Sequence, residues 1–170
     1  MEVTQAIRTK RAVRQFADRP IPRADLLAIV NAGRRAQSSK NTQPWRFIAI
    51  TERATLKALS ALGQYAGHLA GAAVAVAIFT PDPSKNWSIP FDAGQAAAYM
   101  QLEAWTRGIG SVPATMYQPD EARRVLGAPA DWFVSIIFSF GYPANPADLT
   151  RVPQKGGRAP LDEVVRWEKW

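Results

Sequence analysis

The feature that most restricts the fold is the run from Ala72 to Phe79, AAVAVAIF, in which no position is polar. A half-exposed strand alternates in polarity and a surface helix keeps a polar stripe. An unbroken apolar run ending at Thr80-Pro81-Asp82-Pro83 therefore predicts a strand buried on both faces, at the centre of a sheet. Trp132 to Phe140, WFVSIIFSF, stopped by Gly141-Tyr142-Pro143, predicts another buried strand, and Trp45 to Ile50 a further one. Asp92 to Arg107 is rich in alanine and long straight side chains, has no internal proline and ends at Gly108. It predicts the longest core helix, with Trp105, like Trp45, packed in the core rather than serving as a stacking platform.

Around these elements the sequence predicts a short helix over residues 4–9. A second opens at Ile21-Pro22-Arg23-Ala24-Asp25, with Leu26, Ile29, Val30 and Gly33 at helical spacing. Residues 54–62 read as a helix, as do 119–126, with proline at the start and Gly127 at the end. The segment 111–117 carries no clear periodicity. Helices and strands follow without regular βαβ alternation, and no glycine-rich dinucleotide fingerprint occurs, so an α+β fold is expected rather than an NAD-binding Rossmann domain. A length of 170 residues with 47% apolar content suits one core, hence one domain over 1–170. From Ala144 to Arg158 the chain is rich in proline, glycine and charge, as in an extended arm, and Leu161, Val164, Val165, Trp167 and Trp170 beyond it need a surface to bury them.

Composition excludes several chemistries. With no cysteine there is no disulfide, thiolate nucleophile or iron–sulfur cluster. With His68 the only histidine, a multi-histidine metal site is excluded and no metal is expected. Redox activity would need a bound cofactor. No run is long enough for a membrane span and the N-terminus is charged rather than signal-like, so a cytoplasmic protein is expected. The net charge of +7 is spread over Arg8 to Arg14, Arg34 to Lys40, Arg123 and Arg124, and Lys155 to Arg158. That distribution has no aromatic-interleaved basic stripe, so no nucleic-acid partner is expected.

Two segments carry candidate chemistry. In Lys10-Arg11-Ala12-Val13-Arg14 an extended backbone puts Lys10, Ala12 and Arg14 on one face, able to serve a phosphate and a ring carbonyl, although a solvated basic turn would look the same. Ser38-Ser39-Lys40-Asn41-Thr42-Gln43-Pro44-Trp45 offers donors and acceptors suited to a heteroaromatic ring, and also fits a plain polar loop. Together, KRAVR at 10–14 and QSSKNTQPW at 37–45 resemble the nitroreductase family, which typically has Arg-Arg-Ser-x-Arg and then Pro-Ser-Ser-x-Asn-x-Gln-Pro-Trp at similar spacing. Gly108-Ile109-Gly110-Ser111-Val112-Pro113, Gly141-Tyr142-Pro143 and Gly157-Arg158-Ala159-Pro160-Leu161 extend the resemblance along the chain. The departures are Lys10 for arginine, Ala12 for serine and Gln37 for proline. Losing the serine hydroxyl removes one phosphate donor, about 1 kcal/mol of hydrogen bonding.

The resemblance implies a nitroreductase-like fold with a mainly antiparallel sheet flanked by helices, and a homodimer whose arm, 144–170, embraces the partner. It implies FMN as cofactor and NAD(P)H as co-substrate. Lys10, Arg11 and Arg158 would hold the phosphate and ribityl region, with Ala12 beside them. Arg14 would sit near flavin N1 and the C2 carbonyl, the position of greatest chemical consequence. Ser38, Ser39, Asn41 and Gln43 would line the ring, partly from the second subunit, and the backbone of Pro113, Ala114, Thr115 and Met116 would approach near N5. His68, which follows a helix and is the only imidazole, is a further candidate at the flavin edge, with a structural or exposed group as the alternative reading. The implied activity is ping-pong hydride transfer from NAD(P)H to a small electron-poor acceptor, nitroaromatic or quinone-like. Other enzymes of the fold, among them dehydrogenases and oxidases, and a non-catalytic FMN-binding protein, are the alternatives.

Overall fold

The inner strand of the sheet is the apolar run itself. In the computed structural model, which describes residues 1–150 and 157–170, β1 (Arg46–Ile50), β2 (Val74–Thr80), β3 (Gly110–Ala114) and β4 (Phe133–Gly141) form one sheet in the order β1-β2-β4-β3. Every pairing is antiparallel. All residues of β2 are buried, and the alternation of its side chains explains why. Val74, Val76 and Ile78 face α2 (Arg23–Arg34) and α4 (Ser88–Thr106), packing with Ile29, Met100 and Phe140. Ala75, Ala77 and Phe79 face α3 (Arg53–Ser60) and α5 (Pro119–Val125), packing with Leu56, Leu59 and Ile137. Both faces of the sheet are therefore covered by helices, and neither can carry a polar residue cheaply.

α1 (Val3–Thr9) packs against α4. The indole N–H of Trp105 donates to the Thr9 hydroxyl at 2.9 Å, and Trp105 joins Ala6 and Val13 in a small cluster of its own. The residues after α1 lie along the free edge of β3. Ala12 bridges Ser111, the Val13 N–H donates to the Ser111 carbonyl at 3.2 Å, and Phe16 bridges Pro143. Gly110 makes this approach possible, because a Cβ there would stand 2.6 Å from the Val13 side chain.

The expected elements are present with adjusted limits. α4 starts at Ser88 rather than at Asp92, and Pro90 is accommodated because it lies in the first turn, where its missing N–H has no intrahelical partner to lose. The stretch from 111 onwards, which carries no periodicity of its own, supplies β3, ending at Ala114. The tail has more local structure than a plain arm: a 3-10 turn at Pro146–Leu149 and α6 (Leu161–Val164). Residues 151–156 of the expected arm, Lys155 included, lie outside the described residues. Among the described residues, no helix is long and apolar enough to cross a membrane.

Candidate functional site

The basic segment after α1 is built by the end of that helix. Lys10 is its C-cap residue, half-buried, and its ammonium donates to Gln101 Oε1 on α4. Burial and, secondarily, the nearby Arg158 cation hold the Lys10 pKa below its ordinary value. A half-buried lysine with a second cation beside it is a place that a bound anion would stabilise. Arg11 turns back on α1, donating from Nη1 to the Arg8 and Lys10 carbonyls at 2.9 and 3.0 Å. Its guanidinium thus also answers the carbonyl end of the helix, a role the sequence reading did not include. Arg11 Nε is buried with no hydrogen-bond partner. Among the described residues, none of Lys10, Arg11, Arg14 and Arg158 makes an ion pair. Ala12 and Arg14 are exposed.

The polar loop is shaped by an unusual backbone. Lys40, Asn41 and Gln43 take left-handed φ values of 51°, 55° and 48°, a conformation that costs a non-glycine residue about 1–3 kcal/mol and persists only where surrounding bonds enforce it. Those bonds are present. The Gln43 N–H donates to Ser38 Oγ at 3.0 Å, the Gln43 amide donates to Asn41 Oδ1 at 3.1 Å, and the Ser39 N–H donates to Asp92 Oδ2 at 3.0 Å. Asp92 is almost fully buried in α4. It anchors the loop to the helix, and the sequence reading gave it no role beyond opening that helix. Its one local signal was a carboxylate at the head of an alanine-rich stretch.

The exit of β3 is the third component. Ala114 and Met116 are buried while Pro113 and Thr115 are exposed, and the segment is braced from behind by residues 62–68. The Leu62 carbonyl accepts from the Tyr117 and Gln118 N–H groups at 2.9 and 3.2 Å. His68 lies on the same side, its Nδ1 2.6 Å from Ser139 Oγ. Burial first and Arg14 second hold its pKa below the usual 6.5, while a bond to the Pro113 backbone opposes the shift.

The structure therefore groups Lys10, Arg11, Ala12, Arg14, Arg158, His68 and Pro113 to Met116 around the edge of β3, through the Ala12–Ser111 bridge and the mutual influence of their charges. Ser38, Ser39, Asn41 and Gln43 are held elsewhere. The two groups meet α4 at Gln101 and Asp92 respectively, which places their anchors about 14 Å apart along the helix axis. A concavity of about 260 Å³ between Ala17 to Ile21, Thr51, Arg53 and Gly71 to Val74 contains none of the predicted site residues. A phosphate fits the first group: it would meet unneutralised Lys10 and Arg158 and the orphaned Arg11 Nε.

The family model described as the nitroreductase family matches residues 7–65 and 59–142. A protein of Archaeoglobus fulgidus, whose name couples NADH dehydrogenase with NAD(P)H nitroreductase, is 32% identical and is covered over 99% of both chains. Among solved structures, an FMN-dependent nitroreductase of Clostridium difficile superimposes with a TM-score of 0.82 at 25% identity, over 98% of this chain and 99% of that one. NfrA2 of B. megaterium superimposes with a TM-score of 0.89 at 20% identity, over 100% of this chain and 76% of that one.

Proposed function

The chain belongs to the nitroreductase family and is an NAD(P)H-dependent FMN oxidoreductase, and from that premise we propose that it reduces small electron-poor acceptors, nitroaromatic or quinone-like, at sites shared by two copies of the chain. When bound, FMN supplies the chemistry: hydride from NAD(P)H in one half-reaction and electrons to the acceptor in the other, a ping-pong sequence. The observation that carries the reading is the uncompensated cluster of Lys10, Arg11 and Arg158 beside Arg14 and the exit of β3.

In this reading Lys10, Arg11 and Arg158 hold the phosphate, where each charge-assisted bond is stronger than a neutral one. Arg14 places a fixed cation where negative charge develops on reduction. The backbone at 113–116 faces the ring, and Ser38, Ser39, Asn41 and Gln43 line it from the partner. The dimer is supported by the separation of the two groups along α4 and by apolar side chains left in solvent. Trp167 is 82% and Leu161 73% exposed, and Phe91 on α4 is 61% exposed. A single domain over 1–170, its 144–170 arm laid on the partner, buries the tail's exposed side chains. Only residues 81–87 separate β2 from α4, too few for a large lid, which favours an open site with a broad acceptor range. The protein works in the cytoplasm, where NAD(P)H is supplied.

The test is an absorbance spectrum of the purified protein, repeated anaerobically after NADPH and then NADH. Flavin bands that bleach are expected. Bands that persist with both donors would favour an oxidase or a storage protein, and no bands after adding FMN would refute the reading.

A further inference from the structure

Between Asp25 and Glu52 the chain has no acidic residue, yet it carries Arg34, Arg35, Lys40 and Arg46. The first three fall at the end of α2 and in the polar loop that follows it, and all three are exposed. Among the described residues none of the three makes an ion pair. Arg34 is held by a neutral group instead, its Nε and Nη2 donating to Asn31 Oδ1 at 3.0 and 2.9 Å. That contact fixes the guanidinium and leaves its charge uncancelled.

The backbone that presents these cations is pinned to α4. The Gln37 carbonyl accepts from the Gln95 amide at 3.5 Å, and the Ser39 N–H donates to Asp92 Oδ2 at 3.0 Å. Asp92 and Gln95 are three residues apart, so residues 37–39 follow about 4.5 Å of the helix axis. Asp92, the one carboxylate of this frame, is almost fully buried and committed to a backbone N–H. The carbonyl end of α2 accounts for cations at Arg34 and Arg35, but its field fades within the last turn and does not explain Lys40, six residues past the helix. Lys40 also takes a left-handed φ of 51°, a strained backbone for a lysine and of the kind that clusters at ligand clamps.

In the functional reading the 38–43 loop lines the flavin ring, which the nicotinamide of the donor must reach. NADH and NADPH share a pyrophosphate, and NADPH alone adds a phosphate on the adenosine 2′ oxygen. Guanidinium and ammonium groups bind such a dianion through charge-assisted bonds. We propose that Arg34, Arg35 and Lys40 form a subsite for this 2′-phosphate and so make NADPH the preferred donor. The inference rests on the placement of the 38–43 loop against the flavin.

The test is anaerobic stopped-flow bleaching of the FMN-loaded protein over a range of NADPH and NADH concentrations. NADPH is expected to reduce the flavin with a second-order rate constant about tenfold higher or more, the worth of one charge-assisted bond to the added phosphate. The ratio should fall as salt is raised. Lys40→Gln, and Arg34→Gln combined with Arg35→Gln, should each lower the ratio by about fivefold, because only the NADPH term contains the lost contact. A second readout needs no turnover: in titration calorimetry, adenosine 2′,5′-bisphosphate should bind the wild type about tenfold more tightly than 5′-AMP, and the variants should lose most of that difference. Equal rates with the two donors, or a preference for NADH, would overturn the proposal, as would variants that keep both the wild-type ratio and the wild-type calorimetric difference. Flavin that bleaches equally with both donors leaves the functional reading standing and removes only the subsite, whereas protein that binds no FMN overturns both. If the double variant does not fold, Lys40→Gln and the calorimetry of the wild type decide.

Discussion

Gly63→Ala tests whether the loop behind β3 sets the shape of the site. A Cβ at this position would lie 2.3 Å from the Thr115 carbonyl oxygen and 3.1 Å from the Ala66 Cβ. Bringing the first contact to 3.0 Å, below which real Cβ atoms are not found, requires a shift of about 0.7 Å. The neighbour is backbone, and it is not free to turn. The N–H groups of Tyr117 and Gln118, two and three residues on, are both committed to the Leu62 carbonyl on the same loop. Gly63 does not have a left-handed φ, so the whole effect is steric. Overpacking of this kind costs about 1–3 kcal/mol, which corresponds to a fall in Tm of about 2–12 °C for a chain of this length. The same displacement moves residues 113–116, so FMN affinity should fall alongside stability.

Gly33→Ala is the control. Its Cβ would overlap Met100 by a similar margin, with 2.4 Å to Cε, but the obstacle is a flexible side chain between α2 and α4, away from the proposed ring. It should lower Tm and leave FMN affinity unchanged. Differential scanning fluorimetry and flavin fluorescence titration on both variants measure the two effects. Gly63→Ala protein with wild-type Tm and wild-type FMN affinity would refute the reasoning.

Asp92→Ala should detach the 38–43 loop, with a stability loss of about 1.5–3 kcal/mol from the charge-assisted bond to the Ser39 N–H, and Asp92→Asn, whose carbonyl still accepts, about half that; equal effects in urea unfolding would count against the anchor. Arg14→Gln should lower the two-electron midpoint potential of bound FMN by tens of mV, since about 30 mV corresponds to 1.4 kcal/mol; an unchanged potential in a dye-equilibrium titration would remove Arg14 from the ring. Truncation after Thr150 should yield a monomer that no longer retains FMN, as read by light scattering and absorbance, and a yellow dimer would refute the role of the arm. For His68 the folded pKa lies below the ordinary 6.5, so between those values the unfolded chain binds the extra proton. Its contribution to stability is present above pH 6.5 and is lost as pH falls through the folded value. The difference in Tm between wild type and His68→Gln should therefore shrink on acidification through that window, and a difference that grows would reverse the assignment.

The helices and three of the four strands, β1, β2 and β4, were legible locally. The run at 72–79 reads as an inner strand because every side chain in it is apolar, and the strand itself spans Val74–Thr80; α4 followed from its alanine-rich composition. The basic and polar motifs were also legible as residue types with a known pattern. What tertiary structure decided are relations between distant residues. β3, with Gly110 and Pro113 in a five-residue span, has no strand signature of its own and exists because β4 supplies its ladder and Val13 its outer edge. Asp92 meets Ser39, and His68 meets Ser139, across separations of 53 and 71 residues. The separation of the two motifs' anchors, Gln101 and Asp92, along α4 is likewise invisible in the sequence. Periodicity records which side of a segment is buried, because burial acts on neighbouring residues of one element. It carries no record of which other element does the burying, since that is settled only when the whole chain has packed.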